Sequence, residues 1–500
     1  MPNLLDPIAR HAAVSPTGIA LRTATAPWTY AGLRDASLRY AGDLRDAGVN
    51  AGDRILLAAP SVPEFVVAYM GIQALGAVAV TVNTMCTTAE IEYYLTDSGA
   101  RLAIGWHGLG PAVSEAAAIV GVPVWTLEPD ALVDADPIRG SVDRASDDTA
   151  AILYTSGTTG RPKGAQLTVG NLLSAGEVAA IICRSTAADR TGTGLPLFHV
   201  FGQASVMMAS FTGGGSLSLL SPFTPDSMLD MLRRDDLTIM VGVPTMWNAM
   251  LHVAGDAEAD FSHLRVAVSG GASLPGEIAR IFESRFDCNI LEGYGLTETT
   301  ALGAFNDVDR GGKIGSVGAA VPRLEVEVRD SSGRPCPDGV IGEVFIRGET
   351  VMKGYWNRPD ATAAVLDPGG WFRTGDLGEF DAEHDLRIVD RLKDMIIRGG
   401  YNVYPGEVEE VLYQHPGIVE AAIIGVPDDH YGEEVAAVVV RQPDSDLTEE
   451  QVTSWCRNSL SAYKIPRIIR FVDQLPKGST GKILKRDIDR TDLQKTSTYP

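Results

Sequence analysis

Basic residues are in short supply. Against 64 Asp+Glu the 500-residue chain carries 42 Lys+Arg, a formal net charge of −22. A surface so acidic neither releases counterions from nucleic acid nor holds an anionic membrane, so no nucleic-acid partner is expected and any anionic ligand must be met by a locally basic pocket. Cysteine is also sparse. Cys86, Cys183, Cys288, Cys336 and Cys456 stand alone, odd in number and without C-x-x-C spacing, which argues against a disulfide framework or a zinc site and predicts a reducing, cytoplasmic setting. The opening residues Met1-Pro2-Asn3-Leu4-Leu5-Asp6 lack the basic and apolar regions of a signal peptide. No G-x-S-x-G, H-E-x-x-H or G-x-G-x-x-G occurs, against a serine hydrolase, a zincin or a dinucleotide enzyme. The long uncharged run, residues 65–82, approaches the length of a membrane span. Gly71, Gln73 and Gly76 interrupt it, and Pro63-Glu64 reads as a helix first turn, so a buried helix followed by a buried strand is expected, with no integral membrane contact.

What is present is an ordinary globular composition, 45% apolar and 21% charged, on a chain long enough for about three domains or subdomains. Short apolar runs rich in β-branched residues (54–58, 76–82, 100–105, 122–127, 238–243, 264–269) alternate with helix-period segments, which predicts α/β units with parallel sheets. Residues 128–149, rich in Asp, Pro and Ser, read as a connector. From about residue 324 shorter alternating strands take over, and after residue 390 the pattern resets to an α+β unit with helices at 405–415 and 448–460 and strands at 420–425 and 435–441. The expected organisation is a large N-terminal domain of stacked α/β sheets, 1–390, carrying a small β-rich subdomain at about 324–390, followed by a small mobile α+β domain, 391–500.

The strongest local signal runs from Tyr154 to Gly164. A strand enters a loop of Thr155, Ser156, Gly157, Thr158, Thr159 and Gly160, then Arg161-Pro162-Lys163. Glycines turn backbone N–H groups toward one point, hydroxyls add donors and Lys163 adds charge, the ingredients of a phosphate cradle. The spacing is not that of a Walker loop. The chain has nine lysines and none precedes Lys163; five fall at Lys464, Lys477, Lys482, Lys485 and Lys495, and Lys477-Gly478-Ser479-Thr480-Gly481-Lys482 forms a second loop of glycines and hydroxyls. Gly293-Tyr294-Gly295-Leu296-Thr297-Glu298 offers a ring, glycines for close approach, a hydroxyl and a carboxylate suited to Mg²⁺ beside phosphates. Thr374-Gly375-Asp376 sets a carboxylate in a turn able to accept from a ribose diol, and His199 stands alone among apolar residues.

Together these motifs, in this order from about Asp6 to Arg486, resemble the adenylate-forming superfamily of acyl-CoA synthetases, aryl-CoA ligases, luciferases and peptide-synthetase adenylation domains. The resemblance implies an AMP-forming acid–CoA ligase using ATP, Mg²⁺ and coenzyme A. Residues 155–163 would wrap the β- and γ-phosphates, the 269–272 segment with Gly271 and Ala272, and Tyr294-Gly295, would enclose adenine, Thr297 would meet the α-phosphate, and Glu298 with Thr155 would hold the metal. Asp376 and Arg391 match the ribose positions, and Lys482 matches the lysine bridging substrate carboxylate and α-phosphate, whose charge offsets the negative charge that develops on attack. His199 is counted with the catalytic residues. Lys393 takes the hinge position, about which the small domain turns to replace Lys482 with Gly399, Gly400, Tyr401 and Asn402 along the CoA channel. The acyl pocket is assigned to His199, Phe201, Val243, Thr245, Met246, Gly270 and Leu302. Gly293 stands where malonyl-specific relatives place an arginine, so a medium- or long-chain fatty acid is the expected substrate. An acyl-AMP ligase loading a carrier protein, and a CoA ligase for an aryl or dicarboxylic acid, are the alternatives. Oligomeric state stays open, a homodimer included.

Overall fold

The structure is a computed structural model describing residues 2–24, 26–129, 135–155, 161–253, 261–443, 445–491 and 493. Two sheets of mainly parallel strands form the large N-terminal part. In the first, spatial order is Gly354–Tyr355, Lys163–Thr168, Thr149–Thr155, Val78–Thr81, Arg54–Ala58, Leu102–Trp106, Val124–Leu127. In the second the parallel order is Ile290–Tyr294, Val266–Ser269, Ile239–Gly242, Arg190–Thr193, Ser216–Leu219, Ile19–Arg22, with short antiparallel strands at both ends. Parallel strands buried on both faces need continuous apolar runs, and Val78–Thr81, Ile239–Gly242 and Val266–Ser269 are buried at every position.

The uncharged run folds as expected. Pro63–Ala74 is a helix whose residues from Phe65 onward are all buried, and Val78–Thr81 is a central strand after the turn at Gly76, φ +75°. Among the described residues no helix is long and apolar enough to cross a membrane.

Strands Leu324–Arg329, Gly342–Gly348, Phe372–Phe380 and Leu386–Arg391 make a third, antiparallel sheet. A fourth follows after residue 391, built on the long hairpin Ile418–Asp428/Gly432–Arg441, with Ile396–Arg398, Tyr401–Val403 and Ile468–Phe471 beside it and helices Pro405–Tyr413 and Glu449–Arg457 packed on it. It has its own buried core, including Val408, Leu412, Ile423, Ala437, Val452 and Cys456. The result is a mixed α/β protein, a large N-terminal assembly of sheets followed by a smaller C-terminal α+β domain.

Two features depart from a reading by periodicity. Thr149–Thr155 and Lys163–Thr168, on either side of the glycine-rich segment, are antiparallel, with Thr155 opposite Lys163. Residues Phe201–Met208 form a π-helix followed by the short α-helix Ala209–Gly213.

Candidate active site

A cavity of ≈1160 Å³ opens between the two large sheets and under the C-terminal domain. Thr155, Lys163, His199, Phe201, Val243, Thr245, Gly270, Gly271, Ala272, Tyr294, Gly295, Thr297, Glu298, Leu302, Asp376, Arg391, Lys393 and Lys482 all line it. These residues span more than 300 positions of sequence, and strand C-terminal ends bring them together. Thr155 closes one strand, Ser269-Gly270 another and Tyr294 a third, the place where open α/β sheets bind ligands.

Glu298 sits on the single 3₁₀ turn Thr297–Thr299. Gly295 is packed so closely on the returning chain that a Cβ there would lie 2.3 Å from the backbone carbon of Ala301. Thr300 and Ala301 both adopt positive φ, +51° and +67°, conformations costly for residues with a side chain and concentrated at functional sites. The buried Glu298 carboxylate accepts from Tyr355 Oη at 2.9 Å and Thr155 Oγ1 at 3.3 Å, and Lys163 Nζ lies 5.0 Å from the centre of the Tyr355 ring. One carboxylate flanked by hydroxyls suits a Mg²⁺ ion that takes its remaining oxygens from phosphates.

Asp376 faces Tyr294 and Arg391. Tyr294 Oη donates to Oδ2 at 2.6 Å and Arg391 Nε lies 3.6 Å from Oδ1. Burial raises the Asp376 pKa, opposed by Arg391 and by the Tyr294 bond. Thr374 Oγ1, which donates to Val344 O at 2.8 Å, receives the Asp376 N–H at 3.0 Å and so fixes the turn.

Lys482 projects from a tight loop in which Gly478 N donates to Lys482 O at 2.8 Å and Gly481 adopts φ +81°. Asn83 Nδ2, just past a strand of the first sheet, donates to Ser479 Oγ at 2.9 Å, and Thr245 Oγ1, just past a strand of the second, donates to Gly481 O at 2.9 Å. The ammonium is thereby held in the cleft between the sheets. Burial, then the nearby Arg391, lowers its pKa to about 8, with Asp376 opposing. His199 accepts from Phe201 N at 3.3 Å, and burial, then Lys482, pulls its pKa down to about 4.

Two groups of sequence-predicted residues lie elsewhere, and a third is not described. Met246 belongs to the hydrophobic core and does not line the cavity. On the helix Pro244–Leu251 its neighbour Thr245 takes the facing position, because consecutive helical side chains point about a quarter-turn apart. Gly399, Gly400, Tyr401 and Asn402 form an exposed hairpin turn away from the cavity, Tyr401 stacked on Tyr463 at 4.9 Å. Ser156, Gly157, Thr158, Thr159 and Gly160 fall outside the described residues. Tyr355 is the residue that sequence reasoning missed. Of the tail lysines, Lys464, Lys477 and Lys485 pair with Glu407, Glu420 and Glu409 at 2.6, 2.5 and 2.7 Å, so they fasten the C-terminal domain and are not a solvated basic tail.

Comparison with known proteins decides the family. Residues 8–356 match the AMP-binding enzyme family and residues 407–482 its C-terminal domain. The chain belongs to the AMP-binding enzyme family. Among similar AMP-binding enzymes, a feruloyl-CoA synthase of Amycolatopsis sp is 38% identical over 485 residues, 96% of this chain and 97% of the relative. A long-chain-fatty-acid–CoA ligase of Yersinia pestis is 36% identical over 513 residues, 94% and 91% of the two chains. The crystal structure of ATP-bound MatB from Rhodopseudomonas palustris superposes with a TM-score of 0.91 at 35% identity, covering 97% of this chain and 98% of that one. The protein is therefore an AMP-forming acid–CoA ligase that uses ATP, Mg²⁺ and CoA.

Proposed function

We propose that this AMP-binding enzyme activates a monocarboxylic acid with an extended apolar body, a medium- or long-chain fatty acid. The acid is first joined to AMP with loss of pyrophosphate, and the CoA thiol then attacks the acyl carbon and expels AMP. Lys482 offsets the charge that develops as the carboxylate oxygen attacks phosphorus. Glu298 and Thr155 hold Mg²⁺, which neutralises phosphate charge when bound. Asp376 and Arg391 hold the ribose, Gly271, Ala272, Tyr294 and Gly295 enclose the adenine, and Lys163 meets the outer phosphates. Neutral His199 orients the acid at the mouth of its pocket.

The observation that carries the substrate reading is the inner lobe of the cavity. Ala179, Ile182, Val206, Ala209, Val241 and Val268 line it, and the lysines and arginines of the cavity wall come from the Lys163 strand, the third sheet and the C-terminal domain. Among the described residues a second carboxylate therefore finds no lysine or arginine there. A second reading, an arylpropenoic acid, is favoured by the feruloyl-CoA synthase relative at 38% identity.

The test is CoA-dependent AMP formation across straight-chain acids from acetate to palmitate, with malonate, benzoate and cinnamate. Each buried CH₂ contributes about 0.8 kcal/mol, or roughly fourfold in kcat/KM, until the pocket ends. A rise of that kind supports the fatty-acid reading, a preference for cinnamate moves the assignment to the second, and turnover of malonate alone removes both.

A further inference from the structure

The helix Thr88–Ser98 touches the site from behind the cavity wall. Tyr93 and Asp97, four residues apart, stand on one face of it, and that face is turned to both strands that flank the glycine-rich segment. Where the chain enters the segment, Tyr154 Oη donates to Asp97 Oδ2 at 2.9 Å; where it leaves, Tyr93 Oη donates to Pro162 O at 2.8 Å. Tyr154 precedes Thr155 and Pro162 precedes Lys163, so each bond ends one residue from a side chain that lines the nucleotide end of the cavity. The Tyr93 ring also meets the Tyr154 ring edge-on, 5.9 Å between centres, and lies 5.8 Å from the Arg161 guanidinium.

Asp97 is fixed in turn. Its Oδ1 pairs with Arg358, its backbone carbonyl accepts from Trp356 Nε1 at 3.2 Å, and Trp356 N donates to Gly164 O at 2.7 Å. The Asp97 side chain is 9% exposed. A carboxylate withdrawn from water so far is costly unless it is paired and hydrogen-bonded, and here its two oxygens are committed to Arg358 and Tyr154. Burial, then the Asp97 bond, pushes the Tyr154 phenol well above its ordinary pKa, so it stays a donor. Apolar packing would hold a helix to a sheet without a buried charge; directed bonds also fix where the two strand ends lie.

We propose that Tyr93 and Asp97 are positioning residues for adenylation: acting through Pro162 and Tyr154, they set Lys163 and Thr155 at the spacing that the β- and γ-phosphates of ATP require. The role is confined to one half-reaction. In adenylation a carboxylate oxygen forms a bond to the α-phosphorus, and the bond from that phosphorus to the β-phosphate oxygen breaks, its electron pair leaving with pyrophosphate. When the CoA thiol attacks the acyl-adenylate no β- or γ-phosphate is present, and the two residues have nothing to place. The inference rests on Lys163 meeting the outer phosphates, as proposed above.

The test uses the acid of the panel above that turns over fastest, with its acyl-adenylate, in the wild-type enzyme and in Tyr93→Phe, Asp97→Asn and Lys163→Ala. Tyr93→Phe keeps the ring and loses only the hydroxyl. Titration calorimetry gives Kd for ATP and for AMP; kinetics give KM for pyrophosphate in the formation of ATP from acyl-adenylate, and kcat/KM for CoA in thioester formation. We expect Tyr93→Phe and Asp97→Asn each to raise Kd for ATP and KM for pyrophosphate about 5- to 10-fold, as for loss of one directed hydrogen bond, and to leave Kd for AMP and kcat/KM for CoA within about twofold. Losses of equal size in pyrophosphate and CoA reactions, or ATP and pyrophosphate constants that Lys163→Ala raises and Tyr93→Phe does not, overturn the inference and leave the phosphate-site reading standing. Constants unchanged in Lys163→Ala overturn that reading and the inference with it. Tyr93→Phe decides the question even where Asp97→Asn does not fold.

Discussion

We propose Lys482 as the side chain on which the first half-reaction turns. With a pKa near 8 it is mostly charged at neutral pH and loses that charge as pH rises through 8. Pyrophosphate formation in the absence of CoA, followed as kcat/KM, should therefore fall above pH 8. His199, at about 4, is already neutral over this range and cannot supply the limb. Glu292 could, because burial raises it to about 8 and it also lines the cavity. The assignment to lysine predicts that the limb persists in Glu292→Gln and moves to higher pH in Lys482→Arg. A limb abolished by Glu292→Gln would assign it to the carboxyl. Lys482→Ala should lower adenylation on the order of 10²-fold or more, as for loss of an electrostatic stabiliser, while thioester formation from supplied acyl-AMP is largely retained. Equal losses in the two half-reactions would refute that division of labour. At this scale the sequence was legible wherever a residue's chemistry was its signal: Lys163, Glu298, Asp376 and Lys482 are polar groups on glycine turns. Met246 and Tyr355 were not, because which helical neighbour faces a cavity, and whether a tyrosine hydroxyl meets a carboxylate 57 positions away, depends on packing that no local pattern encodes.

Short loops between sheet and helix hold these groups, and their stiffness can be tested. At Gly295 a methyl group meets the backbone of Ala301, which no rotamer change relieves. Gly295→Ala should cost about 1–3 kcal/mol, as overpacking does, seen as a lowered thermal midpoint together with weakened Mg²⁺-dependent adenylation as Glu298 is displaced. An unchanged midpoint and rate would show that the turn is slack. The Lys482 loop is held differently, by the Asn83 and Thr245 bonds to Ser479 and Gly481. Each such bond is worth about 0.5–1.5 kcal/mol, so Asn83→Ala with Thr245→Val should slow adenylation roughly 10-fold or more, with no matching loss in thioester formation from acyl-AMP. Element types were readable from period: alternating apolar runs became the parallel strands, and residues 65–82 became helix and strand. The π-helix at Phe201–Met208 was not readable, since an i→i+5 ladder has no distinct apolar period in a segment buried nearly all round. Nor was the pairing of Thr149–Thr155 with Lys163–Thr168, whose antiparallel sense is set by pairing partners and not by the strands' own residues.

The two halves of the molecule meet over a largely polar seam: Thr245 and Asn83 on the lysine loop, Asn248 Nδ2 on Val419 O at 3.2 Å, Gly276 N on the Glu410 carboxylate at 3.2 Å, and His252 beside Gln442 at 3.2 Å. Interfaces of this kind are expected to reopen. With Lys482 in the cleft, the hairpin of Gly399, Gly400, Tyr401 and Asn402 lies outside it, and Tyr401, an aromatic ring, is 61% exposed. We propose a second arrangement, in which Lys482 withdraws and this hairpin lines the thiol's approach. Lys393, between the strands Leu386–Arg391 and Ile396–Arg398, is where the chain would turn. Proline there fixes φ near −65° and removes the rotation, while leaving the arrangement that presents Lys482 accessible. Lys393→Pro is therefore expected to keep pyrophosphate release within a few-fold of wild type and to slow CoA-dependent release of AMP from pre-formed acyl-adenylate on the order of 10-fold or more. Both steps are measured by single-turnover quench with radiolabelled acid. If the second step kept its rate in the proline variant, the site would have to pass from one half-reaction to the other without turning at Lys393, and the exposed hairpin would need another explanation.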